Sequence, residues 1–328
     1  MRHIAFWFGF IAAACNSVHN TNSDGATDGS SNDGKSDGNG HGETRADGAW
    51  RIPIALAHSI QNPCFSPDGT QLAVTNWLGG YNVSPAVVAV VATTGGAAHA
   101  ITAASATSVN LPGSCWRGDR ITYSSDPNDD EIYTNAAAGG SQSQVTNRAD
   151  KVAYEPSFSP DGAWIVFESH PLDVETRGAI YKVRADGSGL VPLTDGSGDD
   201  REPNWSPAGD LIVFQSHART PGDIDLWVMN SDGTGVRNLT QSPGSEDTDA
   251  SWSPDGTRVV YSSNHGGLAN ANLFTIPVAG GTPTRVTHFS GYDGAPTWSA
   301  DGSTIAFESS ARDPDGSPGT AIWAITAP

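Results

Sequence analysis

Short apolar runs rich in β-branched and aromatic residues recur along the chain: Leu72-Ala73-Val74, Ile121-Thr122-Tyr123, Ile165-Val166-Phe167, Leu211-Ile212-Val213-Phe214, Val259-Val260-Tyr261 and Ile305-Ala306-Phe307. They are too short for helical periodicity and are bounded by Pro and Gly, so each reads as a buried strand. Before each run stands an aromatic and a polar turn: Phe65-Ser66-Pro67-Asp68-Gly69, Trp116-Arg117-Gly118-Asp119, Phe158-Ser159-Pro160-Asp161-Gly162, Trp205-Ser206-Pro207-Ala208-Gly209, Trp252-Ser253-Pro254-Asp255-Gly256 and Trp298-Ser299-Ala300-Asp301-Gly302. Pro presets φ, while Asp and Gly accept the tight conformations that follow, so every copy predicts a hairpin.

The pattern continues past the hairpin. A third strand recurs as Ile132-Tyr133, Ile180-Tyr181, Leu226-Trp227, Leu273-Phe274 and Ile322-Trp323, with Val87-Val88 as its weakest copy. After a Gly-rich turn, a fourth strand carries an aliphatic-Thr signature at Ile101-Thr102, Val145-Thr146, Leu193-Thr194, Leu239-Thr240 and Val286-Thr287. Successive leading aromatics lie 51, 42, 47, 47 and 46 residues apart. A period of this length with four strands per unit is that of a propeller blade. The expected fold is therefore all-β, a six-bladed β-propeller.

Only five fourth strands are counted, because the sixth repeat reaches Pro328 just after its third strand. Ile52 lies eleven residues before Pro63, within the ten to thirteen by which other fourth strands precede the next blade. Residues 50–55 are thus expected to close the ring and remove the exposed sheet edges of an open array. The predicted organisation is an export signal over 1–15, a spacer over 16–49 and the propeller over 50–328.

These blades resemble the PD40, or WD40-like, repeats of the TolB β-propeller family, over essentially the whole of 50–328. The resemblance implies a fold that hosts unrelated activities, so function must be argued from the site. Neither the additional N-terminal α/β domain of TolB itself nor the α/β-hydrolase domain that accompanies such a propeller in prolyl-oligopeptidase-like enzymes is expected beside these repeats.

Composition adds a location. Residues 4–14 form an apolar run too short to span a bilayer but suited to a signal-peptide core. Ala12-Ala13-Ala14-Cys15 resembles a bacterial lipobox, which makes Cys15 the expected lipidation site; the same residues also satisfy Ala-x-Ala cleavage. Either reading exports the protein, as a periplasmic or outer-membrane lipoprotein in the first case. Of the 34 residues 16–49, 22 are Gly, Asp, Asn or Ser, a composition that cannot bury enough apolar surface to order itself.

Net charge is −19; Arg2 contributes +1 and residues 16–49 hold six acidic and two basic residues, leaving −16 on the propeller. So acidic a body disfavours nucleic acid. Cys64 and Cys115 precede the leading aromatics of neighbouring blades, either as a disulfide or as two small buried hydrophobes.

Candidate chemistry lies on the face carrying the longer loops, the usual place for recognition on a rigid scaffold. Aligning the ends of the second strands superposes Trp77, Asp126, His170, His217, Asn264 and Ser310. Three residues before the leading aromatics come Asn62, Gly113, Glu155, Glu202, Asp249 and Ala295. Glu155, Glu202, Asp249, His170 and His217, with Arg201 beside them, are the expected binding residues at the channel mouth. Their oxygen and imidazole groups would suit a divalent cation or a cationic group of a partner.

The folded region holds no HExxH, Walker or CxxC motif. The one Gly-x-Ser-x-Gly match, Gly34 to Gly38, lies in the spacer where no nucleophile elbow forms. No catalytic residue and no resident metal or cofactor is therefore expected. The leading reading is a monomeric, membrane-tethered scaffold that binds a protein or peptide on its loop face. The alternative is a carbohydrate- or uronate-active enzyme with a metal or carboxylate site at the mouth.

Overall fold

The computed structural model describes residues 43–103, 109–111, 114–125, 130–312 and 318–328, and within them every regular element is a strand. The strands form six antiparallel sheets, one per repeat. Blades three to five have their four strands in chain order: Lys151–Phe158, Trp164–Pro171, Ala179–Arg184 and Val191–Pro192 in blade three; Asp200–Trp205, Leu211–Ser216, Asp225–Asn230 and Arg237–Asn238 in blade four; Asp247–Trp252, Arg258–Ser263, Asn272–Pro277 and Thr284–Arg285 in blade five. Blade one begins at Ser59–Phe65. In blade two, the worn copy, Val109–Asn110 and Trp116–Arg117 each pair with Arg120–Ser125.

Blade six closes as the repeat count requires. Its strands Asp293–Trp298, Thr304–Arg312 and Pro318–Thr326 are completed by Trp50–Arg51, paired Trp50 to Ala324 and Arg51 to Trp323. The aliphatic side chains around this seam, including Ile52, Ile60, Leu72, Ala306 and Ile322, form one buried cluster joining blades six and one.

One sequence expectation shifts. The aliphatic-Thr pairs fall just beyond the two-residue outer strands, where they prolong the ladder by another means. In five blades the aliphatic N–H donates to the third strand's carbonyl, as Leu193 does to Ile180 at 2.7 Å. The Thr hydroxyl then accepts from that same residue's N–H: Val88 to Thr102, Ile132 to Thr146, Ile180 to Thr194, Leu226 to Thr240 and Leu273 to Thr287, at 2.9–3.1 Å. A short side chain thus replaces a backbone acceptor where the strand turns away. In blade six Ile52 donates to Ile322 at 2.9 Å, and Pro53 stands in the Thr position.

The Ser-Pro-Asp-Gly turns are built alike. Ser159 Oγ donates to Asp161 Oδ1 at 2.6 Å and accepts the Trp164 N–H at 2.9 Å, with Gly162 at φ 70°. Glycine is the residue that takes that φ without steric cost. Where Ala208 replaces the Asp, Ser206 Oγ turns to Asp210 instead, at 3.0 Å.

Two further features bear on the expected boundaries. Cys64 and Cys115 are joined as a disulfide between blades one and two, their Cα atoms 6.1 Å apart. The folded body also begins before Trp50: Thr44 bridges to Trp50, and Arg45 reaches Asp293 in blade six. The segment 43–49, expected as spacer, is held because Arg45 finds a buried carboxylate and three aromatic rings there. Cys15, the signal segment and residues 16–42 lie outside the described residues, as do Gly113 and Asp126.

A candidate site: a girdle of buried carboxyl groups

The inner strands of blade one and of blades three to six carry the same irregularity. Their register slips between Gln61 and Cys64, Tyr154 and Ser157, Arg201 and Asn204, Thr248 and Ser251, and Gly294 and Thr297. Within each slip one residue is left-handed: Asn62 (φ 51°), Glu155 (50°), Glu202 (49°), Asp249 (55°) and Ala295 (45°). Non-glycine residues take this conformation at a cost of about 1 kcal/mol or more, and bulges of this kind re-aim a side chain and free a backbone N–H. These are the positions superposed by counting three residues back from the leading aromatic.

The freed groups bond from blade to blade. The Glu202 N–H donates to Glu168 Oε2 at 2.9 Å, the Asp249 N–H to Glu202 Oε2 at 3.1 Å, the Ala295 N–H to Asp249, and the Asn62 N–H to Glu308 Oε2 at 3.1 Å. Asn62 Nδ2 bonds Asn110 Oδ1 and the Leu111 carbonyl, and Asn110 Nδ2 bonds Glu155 Oε1. Every blade contributes to this girdle, and the hydrogen bonds to its carboxyl oxygens offset the strained backbone.

Five acids therefore share one neighbourhood: Glu155, Glu202 and Asp249, which the sequence pointed to, and Glu168 and Glu308, which it did not. Burial pushes Glu155 and Glu202 well above the usual carboxylate range, reinforced by mutual repulsion and by Glu168 and Asp249. Burial also raises Asp249, raises Glu168 to about 7 despite the nearby Arg201, and raises Glu308 to about 8 with Asp249 adding to it. The fully buried Glu168 keeps one oxygen, Oε1, without a hydrogen-bond partner. A site of this kind holds protons, accepts hydrogen bonds and attracts cationic groups, each added positive charge releasing a proton.

The missed pair had a signal. Glu168 and Glu308 each follow the aromatic that ends the apolar run, a charge at the same position of two repeats.

Of the other expected residues, Arg201 borders the girdle close to Glu168 and Glu202, while His170 and His217 make their own contacts. His170 is buried, with Nδ1 at 3.0 Å from the Pro171 carbonyl and its ring stacked on Tyr154 at 5.7 Å; burial lowers its pKa. His217 is lowered to about 4 by burial and then by Arg201, and its Nε2 lies 3.2 Å from Gln215 Nε2. Arg201 is committed to a fork on Asp199 at 3.0 and 3.1 Å and to the Glu175 carbonyl at 2.7 Å. Among the described residues no group of three or more His, Cys, Asp or Glu side chains is arranged to hold a metal ion.

The raised acids give the fold a pH dependence of definite sign. Unfolded, a Glu ionises at about pH 4.3. Above that value the unfolded chain binds fewer protons than the folded one, which keeps those of Glu168 to about 7 and Glu308 to about 8, so stability falls as pH rises through this window. Glu308→Gln retains an acceptor for the Asn62 N–H and removes the ionisation. Thermal melting is expected to show the variant more stable than the parent at about pH 8 and equal to it at about pH 5. A variant equally destabilised at both values contradicts a protonated Glu308.

The chain matches the TolB beta propeller domain family (PD40) over residues 46–221 and 217–315. Among solved structures it is similar to a protein assigned as TolB from Agrobacterium tumefaciens, with 19% identity, 83% of this chain and 91% of that chain covered, and a TM-score of 0.59. For TolB from Acinetobacter baumannii the values are 18%, 84%, 65% and 0.59. For an oligogalacturonate lyase in complex with manganese they are 18%, 87%, 95% and 0.58. Likenesses at this identity show a shared fold. No curated protein sequence matches the chain.

Proposed function

This chain belongs to the TolB β-propeller family, and from that premise we propose that it is an exported scaffold that binds a protein or peptide at its channel mouth. Cys15 is the proposed lipid anchor, residues 16–42 the tether, and the cell envelope the location. The single observation supporting the reading is the girdle: five acids drawn from blades three to six are buried as neighbours, and a basic side chain or chain terminus reaching them would displace their protons.

The direct test is affinity capture from envelope extracts with the parent protein and with a Glu155→Gln, Glu202→Gln, Asp249→Asn triple variant. A specific protein retained by the first and lost, by tenfold or more, with the second is the expected result. Deleting loop 217–223 is a poorer probe, since it removes Arg219 from its ion pair with Asp200. Absence of any specific partner for the parent protein sinks the scaffold reading.

A second reading is kept on one observation. Glu308, raised to about 8, keeps its proton at neutral pH and Glu168, raised to about 7, keeps it in part, the state a general acid requires. Turnover of oligogalacturonate followed by ultraviolet absorbance of unsaturated products, present in the parent and lost in Glu308→Gln, would replace the scaffold by an enzyme.

A further inference from the structure

Blades four, five and six repeat one buried arrangement on the loop face. The first residue of each inner strand is a fully buried aspartate facing a second-strand serine: Asp200 with Ser216, Asp247 with Ser263, Asp293 with Ser309. Beside each lies a cross-strand aromatic pair: Phe214 with Trp227, Tyr261 with Phe274, Phe307 with Trp323.

Two of the three hold an arginine. In blade four Arg219 grips Asp200 through Nε and Nη2 at 2.8 and 2.7 Å, its guanidinium 5.5 Å from the Trp227 ring and 5.9 Å from Phe214. In blade six Arg45 grips Asp293 at 2.8 and 3.0 Å, 4.9 Å from Trp323, 5.5 Å from Phe307 and 4.3 Å from Phe289. Arg219 comes from the blade's own loop. Arg45 is delivered by a segment of the chain outside the repeats, so the arrangement accepts an arginine that does not come from the blade itself.

Blade five has the receptor without the cation. Arg219 stands five residues after Phe214; five residues after Tyr261 stands Gly266. Ser263 Oγ donates to Asp247 Oδ1 at 2.5 Å, but Asp247 Oδ2 and the Tyr261 hydroxyl, both buried, find no hydrogen-bond partner. The hydroxyls of Thr240 and Ser242, which face Asp247, direct their protons to Asp225 and to the Thr240 carbonyl. Asp225, fully buried nearby, adds a second negative charge. His265 stands edge-on to Phe274 at 5.7 Å, on a loop continued by exposed Gly266 and Gly267.

We propose that Asp247, Tyr261 and Phe274 form a guanidinium-binding site in blade five that takes an arginine side chain from outside the chain, displacing His265. The fork of the guanidinium supplies the donor that Asp247 Oδ2 lacks and a second one to Oδ1 beside Ser263, and its flat face stacks on Phe274, a match an ammonium cannot make. Burial that holds Asp247 up at about 6 is relieved when the cation arrives. The site lies outside the girdle, so it stands or falls apart from the channel-mouth reading.

The test titrates the full-length protein calorimetrically with blocked arginine (acetyl-arginine methylamide), free L-arginine and blocked lysine (acetyl-lysine methylamide). Blocked arginine is expected to bind, with affinity falling about tenfold or more in Asp247→Asn and severalfold in Tyr261→Phe, which removes one hydroxyl and spares the fold. Preference for the blocked form assigns the site to a peptide, and equal binding of free arginine to a small guanidinium metabolite; both support it. Melting gives a second reading: Asp247→Asn leaves Tm unchanged or raises it, whereas Asp293→Asn, which strands Arg45, lowers it. Equal binding of blocked lysine, no binding of either arginine, or unchanged affinity in Asp247→Asn overturns the proposal.

Discussion

A chain shortened to begin at Leu56 is expected to lose its folded ring, while one beginning at Glu43 keeps it. The shorter chain lacks the Trp50–Arg51 pairing to blade six, the Ile52 N–H bond to Ile322, the burial of Ile52 and the Arg45 anchor on Asp293. Burying one isoleucine contributes about 1.5–3 kcal/mol, and stranding a buried carboxylate costs about 3–5 kcal/mol. Together these approach the ~5–15 kcal/mol that a whole domain commands. The loss also uncovers the edge of Pro318–Thr326, so aggregation accompanies it. Circular dichroism and size-exclusion chromatography of the two chains decide the matter. A monomeric, cooperatively melting chain from Leu56 would show that the ring is stable open. The point variant Ile52→Asp is expected to act in the same direction without removing any chain.

Replacing Arg45 by Met should be the most damaging single change in the described residues before Trp50. Asp293 is fully buried, and Arg45 is its cation, held bidentate and stacked over Phe289, Trp323 and Phe307. A buried charge that loses its partner costs about 3–5 kcal/mol, whereas removing both members is often near neutral. Denaturant unfolding of Arg45→Met, Asp293→Asn and the double variant forms a cycle with an expected coupling of about 2 kcal/mol or more. If Arg45→Met loses under about 1 kcal/mol, the segment 43–49 merely rests on the blade.

The fold was legible because its information is local and repeated. An aromatic, a Ser-Pro-Asp-Gly turn and an apolar run set each hairpin over about a dozen residues, and six copies spaced 42–51 residues apart point to a closed ring. The closing strand was legible for the same reason, since Ile52 sits where the repeat demands an aliphatic. The aliphatic-Thr signature was read as strand and is instead its extension; pattern alone does not distinguish a backbone acceptor from a hydroxyl that replaces it.

The site was half legible. Glu155, Glu202 and Asp249 could be superposed by counting, because a bulge repeats at a constant offset from its aromatic. Glu168 and Glu308 could not be joined to them, since their contacts run between blades: Glu168 meets the Glu202 N–H across one blade boundary, and Glu308 meets that of Asn62 across the ring closure. Which cation serves which aspartate was equally hidden. Arg45 lies 248 residues from Asp293, a distance no local rule spans, and its composition-poor surroundings read as spacer.

What the amino-acid order determined unaided was the blade, the number of blades and the means of closing them, all consequences of short-range turn chemistry and strand burial. Tertiary structure alone decided which acids meet at the axis, which keep their protons, and which buried aspartate is left without an arginine of its own, because burial and Coulomb energy depend on neighbours brought together from different blades.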